Sequence, residues 1–431
     1  MNRNKIQLKN VMSSSVFKAL GIVLNLLLVT TLISLLGDKE YGIWVTVFAI
    51  VNWVFTFDLG FGLGLRNKLT EALVKKDMEE ATLLISSSYY AMSFIAFAIL
   101  LLGISIIIYI DISELLNYND KSELFLKAFV IVALFFTVFN FVLSLYKKFF
   151  QAIHKVYLVE LFSSVQVLFF VLFAYFIDYN YYSLIWLIVA YGFISVITAS
   201  IATFTFFKKI KSIKISFKKK SLTVIKSILN TGSVFFLIQI SLLVILSTDN
   251  IIIVKMIGPE AVTNYSIVQR IFQLIIIGFS LILAPSWSLY SDALIKKDFQ
   301  WIKNNITKLI YMYALLLLLG IILLFSYEII IGFWIGKEIS IPLHLGLYNY
   351  IYAMLFSFAN IFMFFINATG RLKLQTILYV FGAIVNIPLS IFFVHVTGNS
   401  TGVIIASIIS IMPLAIFMPF QSYKILKEYN A

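Results

Sequence analysis

Long apolar runs alternate along the chain with short polar and basic segments. A bilayer core about 30 Å thick is crossed by a helix of roughly 20 apolar residues, so each run of that length predicts one spanning helix. Spanning β-strands would instead alternate apolar and polar residues over about 10 positions, and these runs are continuously apolar for far longer. The pattern predicts an all-α polytopic membrane protein. Its twelve predicted helices are at approximately 12–36, 41–64, 83–110, 124–146, 158–178, 184–207, 228–254, 262–290, 306–331, 346–368, 374–396 and 401–423.

Composition supports this assignment and excludes several other classes of protein. Hydrophobic residues make up 61% of the chain and charged residues 12%, far from ordinary soluble usage. The basic start "MNRNKIQLKN" precedes an apolar run too long for a signal peptide, so a retained helix is predicted. The absence of cysteine excludes disulfides and thiolate chemistry. His154, His344 and His395 are scattered and indicate no metal or triad.

Lysine and arginine are distributed unevenly between the two sides of the predicted helices. Most of the 33 basic residues fall on the side of the N-terminus, and such short loops remain cytoplasmic. Both termini are therefore predicted to be cytoplasmic. The run "KKIKSIKISFKKK" (208–220) would lie against anionic headgroups; nucleic-acid binding is the weaker alternative, because no soluble module accompanies the run. The opposite loops hold only Lys39, Lys121, Lys127, Lys255 and Lys337.

An internal repeat divides the chain into two halves. A shift of 221 residues places Gly37 on Gly258 and "ALVKKD" (72–77) on "ALIKKD" (293–298). A weaker match relates "FQAIHKVY" (150–157) to "INATGRLK" (366–373). These matches predict an N-terminal six-helix bundle (1–207), a basic cytoplasmic linker (208–227) and a C-terminal six-helix bundle (228–431). Because six is even, both halves enter the membrane in the same orientation, a parallel repeat typical of transporters.

One part of the chain consists, in order, of "LLGDKEYGIW" (35–44), a helix, "FDLGFGLGLRNKL" (57–69) and a charged loop. This part resembles the first two helices of bacterial polysaccharide flippases. These belong to the superfamily that also contains multidrug and toxic-compound extruders and lipid II flippases. The twelve-helix organisation extends the resemblance to the whole chain. It implies a V-shaped transporter around a central cavity, in the bacterial inner membrane. The lipid II branch ranks lower, because the chain lacks room for two additional helices.

The resemblance also implies a cargo and a mechanism. Undecaprenyl-diphosphate-linked oligosaccharide repeat units would move from the cytoplasmic to the periplasmic leaflet by alternating access, for O-antigen, capsule or a related surface polysaccharide. Membrane lipids, a polysaccharide polymerase and the chain-length machinery would be partners. A cation-coupled multidrug antiporter of the same superfamily is the first alternative. A membrane-embedded polymerase is the second, although no loop is long enough to form a catalytic domain.

A diphosphate cannot cross hydrocarbon unaided, so its path requires cations and polar groups. Lys18, Lys255 and Arg270 are the candidate cations within predicted helices. For both lysines the alternative is snorkelling, in which the flexible stem carries the ammonium to the interface. The planar guanidinium of Arg270 suits bidentate phosphate recognition, and Gln269 and Gln273 lie on adjacent faces of the same helix. The alternative for Arg270 is a structural ion pair with Asp249.

Two acidic residues are candidates for ion coupling or gating. Asp249, beside Thr248 and Asn250, could bind H⁺ or Na⁺ after desolvation, or could cap a helix break before "MIGPEAV" (256–262). Asp58 could form a latch on the cytoplasmic gate with Arg66, Lys68 or Lys76.

Two further features of the second predicted helix bear on function. The glycines at 60, 62 and 64 would let that helix bend or let neighbouring backbone approach, and no Walker A sequence supports nucleotide binding. Trp53 could stack on a sugar ring, or pack against helices or lipid. No cofactor other than a coupling ion is predicted.

Overall fold

The computed structural model describes residues 3–58, 61–153, 155–210, 212–213, 220–336, 341–342 and 344–430. These residues contain fourteen α-helices, one 3₁₀ helix and no strand. The all-α prediction is thus confirmed. Gly60, His154, Lys337 and residues 211 and 214–219 of the predicted linker lie outside the described part of the chain.

The first half of the chain contains eight α-helices and the 3₁₀ helix. They are α1 (Arg3–Val51), the 3₁₀ helix (Asn52–Asp58), α2 (Phe61–Val74), α3 (Met78–Tyr109), α4 (Ile112–Leu116), α5 (Glu123–Leu143), α6 (Leu145–Ala152), α7 (Val156–Phe176) and α8 (Ser183–Lys209). The second half contains six helices. They are α9 (Leu222–Met256), α10 (Pro259–Ile295), α11 (Phe299–Ile335), α12 (Leu345–Thr369), α13 (Lys373–Thr397) and α14 (Thr401–Asn430).

Eleven helical segments of the described chain are long and apolar enough to cross a membrane. The first, Val16–Asp58, is 43 residues long, or roughly 65 Å at 1.5 Å per residue. Gly37 interrupts it with non-helical dihedrals of φ 72° and ψ 177°, a backbone conformation that glycine adopts readily. The first two of the twelve predicted helices therefore correspond to this one segment with a break at Gly37.

The internal repeat is visible in the backbone. Gly37 and Gly258 both have positive φ, and Lys76 and Lys297 both adopt left-handed conformations, with φ of 59° and 57°. The amide N–H groups of these two lysines each donate a 3.2 Å hydrogen bond, to the carbonyl oxygens of Leu73 and Leu294. The next residue in each copy is an aspartate whose carboxylate caps the following helix. The two segments therefore turn by the same geometry.

The chain separates into two compact units, Met1–Phe236 and Leu237–Ala431. The division falls inside α9, whereas the predicted C-terminal bundle begins at 228. The start of α9 packs on the N-terminal unit. The Ser221 N–H donates to the Ser87 hydroxyl at 3.1 Å, and the Lys220 ammonium lies 3.9 Å from the centre of the Tyr90 ring.

Lys147 and Lys148 occupy a different place from the one the sequence suggests. Hydropathy assigns both to a cytoplasmic loop after 146, but the structure places them in α6, within the membrane-compatible segment Glu123–Ala152. Helices α5 and α6 meet at Ser144, whose hydroxyl donates to the Phe141 carbonyl oxygen at 2.7 Å. Such back-bonding keeps the chain helical while it bends. Two lysines are thereby brought against the interior of the N-terminal unit.

A buried ion pair joins α1 to two loops of this unit. The Lys121 ammonium lies 3.1 Å from the Glu40 carboxylate, and their side chains are 5% and 6% exposed. Lys121 also donates to the Tyr181 carbonyl oxygen at 2.7 Å, and Glu40 accepts from the Tyr179 hydroxyl at 3.0 Å. The Tyr118 hydroxyl also hydrogen-bonds to Glu40. Burial of this hydroxyl, and its proximity to the Glu40 carboxylate, raise the pKa of Tyr118 above its ordinary value. This pair fixes the chain just after the break at Gly37.

Gly64 permits a close approach of α2 to α9. A Cβ at this position would lie 2.3 Å from the Ile228 carbonyl oxygen, which agrees with the prediction that these glycines let backbone approach. We expect Gly64→Ala to lower the free energy of unfolding by about 1–3 kcal/mol, because backbone cannot move aside cheaply. Thermal unfolding of the purified protein, followed by tryptophan fluorescence, measures the change.

Gly278→Ala is the matched control for this prediction. Gly278 lies in α10 with open space where its Cβ would be. Alanine there should raise stability by about 0.5–1 kcal/mol through helix propensity. Wild-type stability in both variants would contradict the close approach at Gly64.

Candidate functional site

A buried carboxylate lies at the centre of the C-terminal unit. Asp249, on α9, is 1% exposed, and its Oδ2 accepts hydrogen bonds from the Tyr265 hydroxyl at 2.7 Å and the Ser407 hydroxyl at 3.4 Å. Its Oδ1 is buried without a hydrogen-bond partner in the described part of the chain. Because its partners come from α10 and α14 and α9 continues to Met256, Asp249 does not cap a helix break.

Further polar side chains extend this cluster. The Asn386 amide on α13 donates to the Ser407 hydroxyl at 3.2 Å, and the Thr248 hydroxyl donates to the Asn386 carbonyl oxygen at 3.4 Å. Four helices thus contribute to one hydrogen-bonded network. Buried networks of this kind are strengthened by the low local dielectric, and a member left without a partner is costly.

A hydrogen-bonded connection runs from Asp249 to a cavity. The Gln269 amide donates to the Tyr265 hydroxyl at 3.3 Å, and that hydroxyl donates to Asp249. Gln269 and Gln273, four residues apart on α10, both line the cavity. Two of the predicted site residues are thereby brought together, and a third is connected to them through Tyr265.

The cavity, here called the C-terminal pocket, has a volume of about 190 Å³. Amide side chains and aromatic rings line it together. The Tyr352 hydroxyl is buried and makes no hydrogen bond with any described residue, and the Tyr352 and Phe356 rings are stacked with 6° between their planes. The residues that line it are Leu246, Gln269, Phe272, Gln273, Ile276, Ile277, Asn349, Tyr352, Ala353 and Phe356.

Arg270 lies on α10 and is half-buried. It is not among the described residues that line the C-terminal pocket. Asp249 is held by Tyr265 and Ser407, and no ion pair between Arg270 and Asp249 occurs in the described part of the structure. The alternative of a structural pair is therefore not supported.

A second cavity lies within the N-terminal unit, with a volume of about 270 Å³. We call it the N-terminal cavity. Its lining is rich in hydroxyl and amide groups, and Lys147 is the single charged residue in its described lining. The described residues that line it are Phe48, Asn52, Phe55, Ala133, Phe136, Thr137, Asn140, Lys147, Ser163, Gln166, Val167, Ile188, Tyr191, Gly192 and Ser195.

The 3₁₀ helix Asn52–Asp58 contributes to this cavity through Asn52 and Phe55. A 3₁₀ stretch within an otherwise α-helical span often marks a hinge. Trp53, in the same stretch, is half-buried, and its indole N–H is buried without a hydrogen-bond partner among the described residues. Trp53 itself is not part of the described lining.

Asp58 ends the 3₁₀ helix and accepts a 3.3 Å hydrogen bond from the Gly62 N–H. Lys148 approaches the same point, because a Cβ at Gly62 would lie 2.9 Å from both the Lys148 Nζ and the Asp58 Oδ2. Lys148 is attracted by Asp58 and repelled by Arg66, and Arg66 itself is exposed. A basic residue of α6 thus joins the predicted Asp58 and Arg66 region.

The remaining predicted cations lie at separate places. Lys18 is half-buried on α1. Lys255 is exposed in the last turn of α9, where a lysine favours the helix dipole and reaches the interface. The roles assigned to these residues stay predictions.

Comparison with known proteins agrees with this architecture. Residues 7–290 match the family described as "Polysaccharide biosynthesis protein". The chain belongs to this polysaccharide biosynthesis family. A Salmonella typhimurium protein described as "Putative O-antigen transporter" is 24% identical over 284 residues, which is 64% of this chain and 63% of the relative. The match therefore spans less than two thirds of that relative.

Solved structures share the fold of this polysaccharide biosynthesis family member. An inward-facing multidrug resistance MATE family transporter of the MOP superfamily superimposes with a TM-score of 0.76 and 15% identity, covering 100% of this chain and 99% of the other. A MATE structure in complex with MaD3S gives 0.67 and 15%, covering 99% and 96%. These similarities confirm that the chain has the all-α fold of these transporters.

Several site residues were missed by the sequence reasoning. Asn349 and Tyr352 lie on α12, an apolar helix on which no spacing distinguishes pocket residues from core residues. Lys147 was assigned to a loop, because "SLYKKFFQA" (144–152) reads as polar after a long apolar run. The amphipathic pattern of α6, with both lysines on one side of buried aromatics, is the signal that could have identified it.

The hydrogen bond between Tyr265 and Asp249 can be measured by a double-mutant cycle. We expect Tyr265→Phe to lower the free energy of unfolding by about 1–3 kcal/mol, because a buried carboxylate loses its shortest hydrogen bond. In an Asp249→Leu background the same change should cost much less. Tyr379→Phe is the control, since among the described residues that hydroxyl hydrogen-bonds to the Met363 sulfur, at 3.4 Å, and not to Asp249. Equal costs in both backgrounds would show that the two groups are not coupled.

Proposed function

We propose that this protein is a flippase that moves undecaprenyl-diphosphate-linked oligosaccharide repeat units across the bacterial inner membrane. The direction is from the cytoplasmic to the periplasmic leaflet, by alternating access, for O-antigen, capsule or a related surface polysaccharide. Membership of the polysaccharide biosynthesis family and the likeness to an O-antigen transporter support this class of cargo. The MATE-like fold supports a transport role.

The C-terminal pocket is the observation that carries the proposal. Sugar hydroxyls require donors and acceptors together, and three side-chain amides provide both. The unpartnered Tyr352 hydroxyl offers a further hydrogen bond, and the stacked Tyr352 and Phe356 rings offer apolar faces. A site built to bond hydroxyl groups rejects ligands that lack them, since its buried polar groups would then stay unpaired. The pocket therefore offers hydrogen bonds to ligand hydroxyl groups beside an apolar surface from Leu246, Ile276 and Ile277.

The charged part of the cargo requires cations. Arg270, Lys18 and Lys255 remain the proposed partners of the diphosphate, and Trp53 a proposed contact for a sugar ring. Both termini are proposed to be cytoplasmic. A polysaccharide polymerase and the chain-length machinery would receive the delivered unit.

Coupling to H⁺ or Na⁺ is proposed to act at Asp249. The buried carboxylate has hydroxyl partners and no basic partner in the described part of the chain. A carboxyl group in that setting is either protonated and neutral, or ionised with a cation bound to it. The Gln269–Tyr265 connection gives cargo in the C-terminal pocket a direct influence on this group. Asp58 and Arg66 are proposed to act at the cytoplasmic gate.

Complementation in the native host tests the flippase step. After deletion of the protein, we expect lipid-linked repeat units to accumulate and surface polysaccharide to be lost. Wild type and Tyr379→Phe should restore the glycan, whereas Gln273→Leu, Tyr352→Phe and Arg270→Ala should restore less at equal protein level. Each lost pocket hydrogen bond would reduce transport by roughly tenfold.

Other outcomes of this experiment would contradict the proposal. Unchanged surface glycan with increased drug sensitivity would indicate a multidrug antiporter. Normal delivery of single units to the periplasmic leaflet, with loss only of long polymer, would indicate a polymerase.

Transport in proteoliposomes tests the coupling role. We expect wild-type uptake of lipid-linked cargo to respond to an imposed pH or Na⁺ gradient, and Asp249→Asn to transport without that response, because the amide cannot exchange a cation. Asp298→Asn is the control, since Asp298 is an exposed helix cap. An undiminished gradient response in Asp249→Asn would exclude Asp249 as the coupling site.

A further inference from the structure

Lys147 places an uncompensated positive charge at the N-terminal cavity. Its described lining contains no acidic residue, and the Lys147 ammonium makes no hydrogen bond or ion pair with any described residue. Glu160 on α7 attracts it from beyond ion-pair distance. Lys147 is half-buried, and an unpaired charge inside a membrane-compatible segment is costly and commonly marks a functional site.

The neighbouring lysine provides a contrast. Lys148 is also half-buried on α6, but it is directed towards Asp58, whose carboxylate attracts it. Two consecutive lysines therefore have different surroundings. Lys148 lies beside the Asp58 carboxylate, whereas Glu160, which attracts Lys147, is not part of the described lining of the N-terminal cavity.

The rest of the N-terminal cavity supplies hydrogen-bond donors. Asn52, Asn140 and Gln166 carry amide N–H groups, and Ser163 and Ser195 carry hydroxyls. The Ser195 Oγ is buried and has no hydrogen-bond partner among the described residues. Because this hydroxyl lies on the cavity, a ligand or a water there can pair it.

We propose that the N-terminal cavity binds an oxyanion, a phosphate or diphosphate group, with Lys147 as its charged partner and the amides and hydroxyls as donors. An oxyanion has several acceptor oxygens, which match several donors around one ammonium. A monatomic anion such as chloride would use the charge but leave most donors unpaired. The site lies inside the N-terminal unit and uses none of the cations predicted from the sequence.

The ligand has two candidate sources. One is free inorganic phosphate or pyrophosphate. The other is the diphosphate of a polyprenyl-linked cargo, and this source rests on the proposed function. Oxyanion binding to the purified protein does not depend on transport, so failure of this inference and failure of the proposed function can be distinguished.

Binding of inorganic pyrophosphate to the full-length protein in neutral detergent tests the site. We expect pyrophosphate to raise the unfolding temperature of the wild type in a concentration-dependent manner, and calorimetry to give the dissociation constant. Lys147→Met should weaken binding by about tenfold or more, because a charge-assisted contact is lost. Lys147→Arg should retain binding within a few-fold.

Lys148→Met is the matched control, because it removes the adjacent charge on the same helix. It should leave pyrophosphate affinity nearly unchanged. Equal affinity in wild type and Lys147→Met, or an equal loss in both methionine variants, would overturn the proposal. If Lys147→Met does not yield folded protein, Ser195→Ala serves in its place, with an expected loss of about threefold to tenfold from one hydrogen bond.

A short-chain polyprenyl diphosphate distinguishes the two sources. If it competes with pyrophosphate in wild type but not in Lys147→Met, the cavity accepts the lipid-linked group. If pyrophosphate alone binds, the cavity is a site for the free anion. Absence of pyrophosphate binding to the wild type at millimolar concentration would refute the proposed oxyanion site, whichever source is considered.

Discussion

Backbone hydrogen bonding in hydrocarbon is the constraint on which this structure depends. No water is available there to pair a free N–H or C=O group, so spanning segments must pair their backbone internally. Helices satisfy this requirement, and irregular backbone is tolerated only where protein surrounds it. The first membrane segment contains two irregular places, Gly37 and the 3₁₀ helix Asn52–Asp58. The second of these lines the N-terminal cavity.

The same constraint applies to side chains. Within the described chain, most buried polar groups of the interior find partners from neighbouring helices, as Glu40 does with Lys121 and Asp249 with Tyr265. Replacing such a network by apolar residues would often be neutral or stabilising. Retention of a buried carboxylate or ammonium is therefore a sign of function more than of stability. Among the buried side-chain atoms without a hydrogen-bond partner in the described chain, those of Ser195 and Tyr352 lie on the two cavities.

The sequence predicts the helices and the repeat well, because hydropathy and glycine or aspartate turns are local properties. The equal geometry at Lys76 and Lys297 follows from a hexapeptide match alone. Site residues are harder to predict from the sequence, because their positions depend on which face of each helix is directed inward. Gln269 and Gln273 share one helix, so their joint position was predictable, whereas Asn349 and Tyr352 come from α12 and meet them only after folding. Lys147 falls outside the predicted helix because the apolar run ends near residue 146. In the structure the chain bends at Ser144 and continues as helix α6.

The two halves share their turns but differ in their interior chemistry. Gly37 and Gly258 both have a positive φ. Lys76 and Lys297 have nearly equal φ angles, 59° and 57°. The N-terminal cavity nevertheless contains a lysine and the C-terminal unit a buried aspartate. A duplicated scaffold imposes only helix lengths, turns and packing, so inward-facing positions are free to diverge in charge. The proposed cargo, with a charged diphosphate and a neutral glycan moved against a cation, presents two different binding problems. The interior chemistry of the two halves is consistent with this proposal, with an ammonium in one half and a carboxylate beside amides in the other.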